Sequence, residues 1–324
     1  MTFPTDWEAE KMAVLDNQPG HEAALDALHQ AANAAGDVHG TERMWQQMLR
    51  LFVSNKLAVA SLVYVIAVVL FCFVGPFFYH SNQTDASASI FHVNLPPQKG
   101  FPLGTDYMGF DILGRLMFAG QSSLELGFLA AIISLVVGVG YGVFSGYVGG
   151  WIDSLLMRFV DVMLSIPGLF LLLATISLFG RSKVLLILVL GLTGWFGDAR
   201  LLRGEAIALR DREFAQAVRA MGGGSGRIIW RHILPNTVST MMTVSTFALA
   251  GSILALTSLG FLGLGIPLPE TDWGTMIQFG SDNFQIGCWW QVYPVCGLFL
   301  VLIISFNYIG DAMRDMFEVR LRER

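Results

Sequence analysis

The chain has 324 residues, of which 54% are hydrophobic and only 14% are charged, and its formal net charge at pH 7 is −5. Soluble domains average about 25% charged residues, so this composition excludes an ordinary soluble protein and predicts a membrane protein. Of the three cysteines, Cys288 and Cys296 lie too far apart along a helix for a disulfide. The six histidines are scattered without metal-ligand spacing, so we expect neither a disulfide framework nor a metal site.

An acidic segment precedes the first apolar run. Residues 1–40 contain seven acidic residues and one lysine, with Gly20, Gly36 and Gly40 interrupting an alanine-rich stretch. We predict a cytoplasmic extension over 1–44 with one short helix around 22–32, and the pattern leaves open a solvated tail or a regulatory or docking role. No short apolar segment with a cleavage site opens the chain, so the first span is expected to act as its own insertion signal.

Six runs without Asp, Glu, Lys or Arg predict membrane spans, because a charge at mid-depth costs at least about 2.5 to 3.5 kcal/mol. The fourth run has only 14 residues, fewer than the roughly 17 to 25 that cross a bilayer, so its length alone leaves a re-entrant segment open. The fifth run is too long for one helix, and we expect its two ends at the membrane interfaces. The six runs are 57–79, 126–152, 162–180, 184–197, 233–269 and 283–310.

The distribution of basic residues decides the fourth span. With six spans and a cytoplasmic N-terminus, only Lys99, Arg115, Arg181 and Lys183 of the 20 lysines and arginines lie outside, in agreement with the positive-inside rule. Removing the fourth span would place the arginines of the central loop outside. We therefore predict six spans with both termini cytoplasmic, and Asp198 at the inner end of the fourth span.

Most glycines and aromatic residues within or beside the spans indicate packing rather than chemistry. Small residues at helical spacing let two helix backbones approach closely, and Trp and Tyr are typical of membrane interfaces. Pro167 is expected to kink the third span. The packing glycines are Gly138, Gly142, Gly146, Gly191, Gly194 and Gly197, and the interfacial aromatic residues are Trp273, Trp289, Trp290 and Tyr293.

Acidic residues near the spans have ordinary interpretations. Glu125 is predicted to cap the second span at its outer end. A proton relay would need carboxylates at mid-depth, and the predicted spans place none there. Four carboxylates at predicted inner ends are expected to cap helices or to pair with Arg158, Arg200 or Arg314; they are Asp153, Asp161, Asp198 and Asp311.

One amphipathic segment rich in arginine lies between two long uncharged runs. Leu209, Phe214, Val218 and Met221 recur at helical spacing, which predicts an amphipathic helix over 207–221 that the following three glycines end. The pattern alone leaves open contact with anionic lipid or docking of another protein.

The segment resembles the glutamate-alanine-alanine loop of ABC importer permeases, in which Glu-Ala-Ala is followed by Gly and then by Ile-x-Leu-Pro. Here 216–218 read Gln-Ala-Val and 232–235 read His-Ile-Leu-Pro. In that family the loop forms a coupling helix that docks on the ATPase subunit, and Gln216 lacks the charge of the family's glutamate. The resemblance implies ATPase-coupling residues at Glu213, Phe214, Gln216, Ala217, Val218, Gly222, Leu234 and Pro235.

Four further segments resemble the C-type permease of dipeptide and oligopeptide importers. Residues 102–111 match its outer-loop motif, Pro-Leu-Gly-Thr-Asp-x-x-Gly-Arg-Asp, except that Phe110 replaces the arginine. This replacement leaves Asp106 and Asp111 without their obvious local partner, although Arg115 lies one helical turn from Asp111. Segments 145–153, 258–265 and 307–311 match as well, so the resemblance covers about residues 45–322. The outer-loop motif residues are Gly104, Thr105, Asp106, Gly109 and Asp111.

The resemblance implies an all-α, polytopic membrane protein with six transmembrane helices and the type I ABC importer permease fold. It divides the chain into the extension 1–44, a first transmembrane helix with an extracytoplasmic loop over 45–123, and a five-helix permease core over 124–324. The core would carry the coupling loop at about 204–235. The implied function is ATP-driven import of dipeptides or oligopeptides, with this chain forming half of the pathway.

The implied partners are a homologous second permease in a heterodimer, two ATPase subunits that hold ATP and Mg, and an extracytoplasmic solute-binding protein. The chain has no phosphate-binding loop and no nucleophile and base that can be placed at one depth. We therefore expect a non-catalytic subunit of the bacterial plasma membrane, without a cofactor of its own or a nucleic-acid partner. A secondary carrier or channel that needs no nucleotide is the alternative, although no clear internal repeat supports it, and a scaffold protein is a third.

Overall fold

The computed structural model of the chain describes residues 50–83 and 90–322. The chain forms two units, Met1–Leu51 and Phe52–Arg324, and the predicted acidic extension lies outside the described residues. The described part of the second unit is helical, with two isolated β-bridges and no strand. The predicted all-α class is confirmed.

In this described part, thirteen α-helices follow one another from Lys56 onward, after a helical segment at residues 50–54. The long helices are joined by short turns, and a segment of π-helix at Ile229–Ile233 and 3₁₀ turns at Ile90–His92 and Trp289–Gln291 complete the chain. In chain order the helices are α1 Lys56–Phe73, α2 Gly75–Phe78, α3 Ile112–Val148, α4 Gly150–Ser165, α5 Gly168–Phe179, α6 Lys183–Gly194, α7 Phe196–Arg210, α8 Glu213–Ala220, α9 Ser225–Ile228, α10 Leu234–Asn236, α11 Val238–Phe261, α12 Trp273–Phe284 and α13 Tyr293–Arg322.

Five helical stretches among the described residues are long and apolar enough to cross a membrane, and a bent pair of helices brings the number to six. The bent pair is α4 and α5, which meet at an angle of 84°. Pro167 causes this bend, because the proline ring forces the preceding Ile166 into an extended backbone conformation, with φ −87° and ψ 125°. The predicted break at Pro167 is confirmed.

The short fourth run belongs to a longer span. Only Trp195 separates α6 from α7, and together they form a stretch of 28 residues, Lys183–Arg210. The charge-free run underestimated this length because Asp198 and Arg200 lie inside the helix. The predicted place of Asp198 at the inner end is wrong, since its carboxylate Oδ2 accepts a hydrogen bond from Ser134 Oγ at 3.4 Å, deep in the second span.

Helix α3 is the centre of the bundle and packs against α1, α6, α7 and α11. It begins at Ile112 rather than near the predicted start of the second span at 126, so Glu125 lies within the helix and does not cap it. Asp111 is the cap instead, because its carboxylate accepts from Gly114 N at 2.9 Å. With 37 residues the helix is about 55 Å long.

The glycine stripe of α3 allows α7 to approach it closely. A Cβ atom placed on Gly142 would lie 2.4 Å from the carbonyl oxygen of Ala199, and one on Gly146 would lie 2.5 Å from that of Arg203. A Cβ atom placed on Gly138 would lie 3.3 Å from the carbonyl oxygen of Trp195. These distances confirm the predicted packing role of the stripe.

The second glycine set is confirmed only in part. A Cβ on Gly191 would meet the Ile133 side chain at 2.7 Å, and one on Gly194 would meet Ser134 Oγ at 3.1 Å. Gly197 has no neighbour within 4 Å of such an atom, so no other part of the described chain packs against it. The difference arises because α6 faces α3 at positions 191 and 194, whereas residue 197 points away.

Candidate functional site

The ATPase-coupling residues predicted from the sequence lie at one end of α3, which we call the loop end. The predicted single helix over 207–221 is wrong there, because α7 ends at Arg210 and α8 begins at Glu213. The backbone of Arg212 is extended, with φ −72° and ψ 151°, and redirects the chain. Gln216 stabilises this turn, since its Nε2 donates to the Asp211 carbonyl oxygen at 3.0 Å, one of the carbonyls that a helix end leaves without a partner.

Helix α8 is fixed to the bundle by a small residue that the sequence prediction missed. Ala215 is fully buried, in a cluster with Val143, Tyr147 and Ile228, and Val218 is half-buried against the same cluster. Alanine here brings the backbone of α8 close to α3. The signal available in the sequence was the Glu-Ala-Ala pattern, whose two alanine positions, 217 and 218, begin two residues after Ala215.

The face of α8 next to the buried one carries an apolar stripe that this chain leaves largely exposed. Phe214, Ala217 and Met221 follow at i, i+3 and i+7, which places them on one side of the helix, and all three are exposed. Met221 is 78% exposed. Exposed Glu213 and Gln216 border the stripe. An apolar stripe with a polar margin on a short helix is typical of helices that dock in a groove of another protein.

Gly222 ends α8 in a left-handed conformation. Its φ is +79°, which an L-residue adopts only at a cost. Gly222 N donates to Arg219 O and Gly223 N to Val218 O, both at 2.9 Å, the two hydrogen bonds of a Schellman motif. The glycine is required by backbone geometry.

Two further predicted residues, Leu234 and Pro235, lie at the loop end, where the chain leads back into the spans. Leu234 is half-buried in the same cluster as Ala215, whereas Pro235 is exposed. Proline is tolerated here because it occupies the first turn of α10, where its missing N–H has no intrahelical partner. Val218 and Leu234 therefore contact one cluster, and Pro235 does not take part in it.

Ionic contacts connect this loop to the spans. Arg203 donates two hydrogen bonds to the Asp153 carboxylate, each of 2.6 Å, and Ser145 Oγ donates a third of 2.6 Å. Arg203 was not among the three arginines expected to pair with the inner carboxylates, and it reaches Asp153 because α7 crosses the start of α4 at residue 203. The guanidinium carbon of Arg219 lies 5.4 Å from the centroid of the Tyr147 ring. The end of α3 thus contacts both α7 and α8.

The outer-loop motif lies at the opposite end of α3, which we call the cap end. Thr105 is fully buried, and its Oγ1 accepts from Leu95 N at 2.8 Å and donates to the His92 carbonyl oxygen. Its own carbonyl oxygen accepts from Gln291 Nε2 at 3.0 Å. The neighbouring Gly104 adopts a left-handed backbone conformation, with φ +75°. These two motif residues therefore hold the outer segment against the 3₁₀ turn Trp289–Gln291.

Asp106 is satisfied mainly by backbone groups. Its Oδ1 accepts from Met108 N and Phe110 N, both at 2.9 Å, in a turn that Gly109 closes with φ +82°. Burial raises the pKa of Asp106 above its usual range, while nearby Arg115 and the backbone N–H donors oppose the rise. Burial likewise raises the pKa of the helix cap Asp111. Both carboxylates have structural roles.

Arg115 supplies the cation that the motif lacks at Phe110. Its Nε lies 3.8 Å from Asp106 Oδ2, its Nη1 donates to the Pro269 carbonyl oxygen at 3.1 Å, and its guanidinium carbon lies 4.5 Å from the centroid of the Phe110 ring. The sequence placed Arg115 one turn from Asp111, but the ion pair is with Asp106. Phe110 is 1% exposed, and its ring provides a cation–π surface.

A buried carboxylate explains the glycines of segment 258–265. Asp272 is fully buried and accepts from Thr275 N, Thr275 Oγ1 and Ile266 N at 2.7 to 3.0 Å. A Cβ on Gly260 would lie 2.1 Å from its Oδ1, and one on Gly265 would lie 2.3 Å from its Oδ2. Burial raises the pKa of Asp272. The two glycines make room for this helix cap.

Trp273 is not the interfacial residue that the sequence predicted. It is fully buried, its backbone N donates to Ser123 Oγ at 3.1 Å, and its Nε1 donates to the Leu116 carbonyl oxygen at 3.3 Å. The reason is that α12 folds back onto α3. Trp289 and Tyr293 are exposed, at 50% and 58%, as an interfacial location requires.

Comparison with known proteins covers most of the chain. A model of the binding-protein-dependent transport system inner membrane component matches residues 138–323, and a model of the N-terminal TM domain of oligopeptide transport permease C matches residues 43–97. The oligopeptide transport system permease protein OppC of Haemophilus influenzae is 34% identical over 94% of this chain and 98% of its own length. The dipeptide transport system permease protein DppC of Bacillus subtilis is 33% identical over 87% of this chain and 86% of its own.

Among solved structures, a chain of the inward-facing MetNI methionine ABC transporter has the same fold. It aligns with a TM-score of 0.51 at 19% sequence identity and covers 62% of this chain and 96% of that one. At that identity the likeness concerns the fold alone. Together with the relatives it confirms the predicted importer permease fold.

Proposed function

Because the chain belongs to the family of inner-membrane components of binding-protein-dependent transport systems, we propose that it imports dipeptides or oligopeptides as half of an ATP-driven pathway. The peptide substrate is inferred from the relatives, which are oligopeptide and dipeptide permeases. These relatives do not favour a carrier that works without nucleotide. This chain would be non-catalytic, with ATP and Mg held by partner ATPase subunits.

The observation that carries the proposal is the two-sided arrangement of α8. One face is buried through Ala215 against α3, and the adjacent face exposes the apolar stripe of Phe214, Ala217 and Met221. A helix anchored in this way can transmit a movement of a docked ATPase to the spans. The ion pair of Arg203 with Asp153 supports this role, because it joins the neighbouring α7 to α4.

The remaining partners follow from the same assembly. A homologous second permease would complete the pathway, each permease would receive one ATPase at its loop end, and an extracytoplasmic solute-binding protein would dock at the cap end. Both termini would then be cytoplasmic. The buried hydrogen bonds of Thr105 and Arg115 support a rigid surface for such docking.

Ala217→Arg tests ATPase docking. We expect the variant to insert in the membrane normally but to lose at least about 2 kcal/mol of binding energy, about thirtyfold in affinity, because it places a charge in the centre of a docking stripe. Gly222→Asp should act in the same direction by straining the end of α8. The measurement is the amount of ATPase subunit that co-purifies with the permease, together with ATP-driven uptake in vesicles.

The matched control is Gly226→Arg, which adds the same side chain to an exposed position of the same loop where nothing lies within 4 Å of a Cβ atom. This control should keep ATPase binding and uptake. Normal uptake by Ala217→Arg, or equal losses in both arginine variants, would contradict docking through the stripe.

A further inference from the structure

A carboxylate lies at mid-depth of the bundle, where the sequence predicted none. Asp198 contacts Ser134 on α3, and Ser134 stands eight residues after the start and eighteen before the end of the predicted run 126–152. Gly138 is one residue from the centre of that run, and a Cβ atom added to it would lie 3.1 Å from the Asp198 Cβ atom. A charge at this depth is costly, so such residues normally face water, a partner charge or a solute.

Asp198 faces a cavity of about 280 Å³ that is lined by α3, α5, α6, α7 and α11. Besides Asp198, its polar lining residues are the hydroxyl-bearing Ser134, Thr193 and Ser252, and small residues of α5, α6 and α11 form much of the rest. A volume of this size holds several water molecules or a small solute group. The lining is therefore neutral except for one carboxylate.

No cation of the described residues compensates Asp198. The basic residues of the same span are engaged elsewhere, as Lys183 pairs with Glu270, Arg200 with Asp161, Arg203 with Asp153, and Arg210 with Asp211. Within the described ranges no lysine, arginine or histidine lies within 4 Å of the Asp198 carboxylate, and Ser134 Oγ is its one recorded hydrogen-bond donor. The negative charge is available to something that enters the cavity.

The cavity is not closed by this chain. Gly168, Gly194 and Gly251 line it and are themselves exposed, so one side faces whatever covers α5, α6 and α11. In the proposed importer that side faces the second permease and the solute pathway between the two halves.

We propose that this cavity is part of the solute pathway and that Asp198 binds the ammonium group of a passing peptide. Every unmodified peptide carries an α-ammonium group near neutral pH, and an isolated carboxylate among hydroxyl groups attracts cations and repels anions. The identity of the ligand rests on the proposed function, whereas the charge of the cavity does not.

The first test measures the charge of the cavity directly. All three cysteines, Cys72, Cys288 and Cys296, are replaced by alanine, Ala248 in the cavity wall is changed to cysteine, and the assembled transporter is reconstituted in vesicles. Its thiol is then labelled with a cationic trimethylammonium-ethyl and an anionic sulfonatoethyl methanethiosulfonate reagent. We expect the cationic reagent to react faster, and Asp198→Asn to lower the ratio of the two rates by about tenfold, as one nearby charge in a partly aqueous site requires.

Asp282→Asn is the matched control, because it removes an exposed carboxylate from α12 at the cap end and should leave the ratio unchanged. Failure of the cysteine to react with either reagent would overturn the proposal, since the cavity would be closed or filled by lipid. An unchanged rate ratio in Asp198→Asn would overturn it as well.

The second test is ATP-driven uptake of a lysine-containing tripeptide. We expect Asp198→Asn to reduce uptake at least about fivefold relative to the wild-type assembly, with the same amount of co-purified ATPase. If the wild-type assembly takes up no peptide, the proposed function fails while the labelling result still decides the charge of the cavity. If the wild type transports and Asp198→Asn transports equally well, the ammonium site fails and the importer function stands.

Discussion

At the scale of single residues, the cap end shows how one substitution in a motif is absorbed by the fold. The family motif has an arginine where this chain has Phe110, and Arg115 takes over the ionic contact with Asp106 from inside α3. The Phe110 ring then fills the space beside the guanidinium group. Because Arg115 also binds the Pro269 carbonyl oxygen, one side chain joins the outer segment to the loop before α12.

Arg115→Met should destabilise the protein by roughly 3 kcal/mol, because removing one partner leaves a buried carboxylate without its cation. The measurement is a denaturant titration of the purified protein in detergent. Adding Asp106→Asn to this variant should recover part of the loss, since the uncompensated charge is then gone.

Lys183→Met provides the comparison for Arg115→Met. It breaks an ion pair with Glu270 in which both side chains are 40% or more exposed, and such pairs contribute about 0 to 1 kcal/mol. A loss for Lys183→Met as large as that for Arg115→Met would contradict the assigned role of Arg115.

At the scale of elements, the bundle depends on backbone contact between α3 and α7. Gly142 and Gly146 remove the side chains that would separate these helices, and α7 then carries Arg203 to Asp153 and leads directly into α8. The same principle repeats within α8, where Ala215 allows a close approach to α3. Movement of α8 is therefore coupled to the spans through small residues in close contact.

Gly142→Ala should destabilise the bundle by about 1 to 3 kcal/mol, because its Cβ would lie 2.4 Å from a backbone oxygen that cannot rotate away. Gly140→Ala is the control on the same helix, with nothing within 4 Å of its Cβ, and should be neutral or slightly stabilising because alanine favours helix. Thermal unfolding in detergent measures both. Equal unfolding temperatures for the two variants would contradict close packing of α3 on α7.

At the scale of the whole molecule, the two ends of α3 are chemically different. The loop end exposes arginines and an apolar stripe, whereas the cap end is held by buried hydrogen bonds among the outer segment, α12 and the turn Trp289–Gln291. The charge asymmetry predicts that the loop end is cytoplasmic, and the 55 Å length of α3 is enough to cross the bilayer and project beyond it.

Cysteines at the exposed positions Lys99 and Arg227 should therefore label from opposite sides of the membrane. In right-side-out vesicles and a cysteine-free background, we expect a membrane-impermeant maleimide to label Lys99→Cys and to reach Arg227→Cys only after permeabilisation. The reverse pattern, or labelling of both from outside, would contradict the predicted orientation and with it the docking of an ATPase at α8.

The apolar runs, the arginine distribution and the ordered motifs were enough to predict the all-α class, the approximate spans and the family, because burying charge in a bilayer is costly along any stretch of sequence. The predicted break at Pro167 and the close approach at Gly142 also follow from local chemistry. These features depend on residues near in sequence, or on the membrane, which acts on each span separately.

Contacts between distant residues were decided by tertiary structure. Arg115 pairs with Asp106 rather than Asp111, Asp153 binds Arg203 across 50 positions of sequence, and Trp273 is buried because α12 folds back onto α3. The depth of Asp198 was predicted wrongly for the same reason, because it depends on which residue of α3 lies opposite. A charge-free run ends at the first charged residue, even where the helix continues beyond it. Helix register and packing set that depth, and neither is encoded in hydropathy.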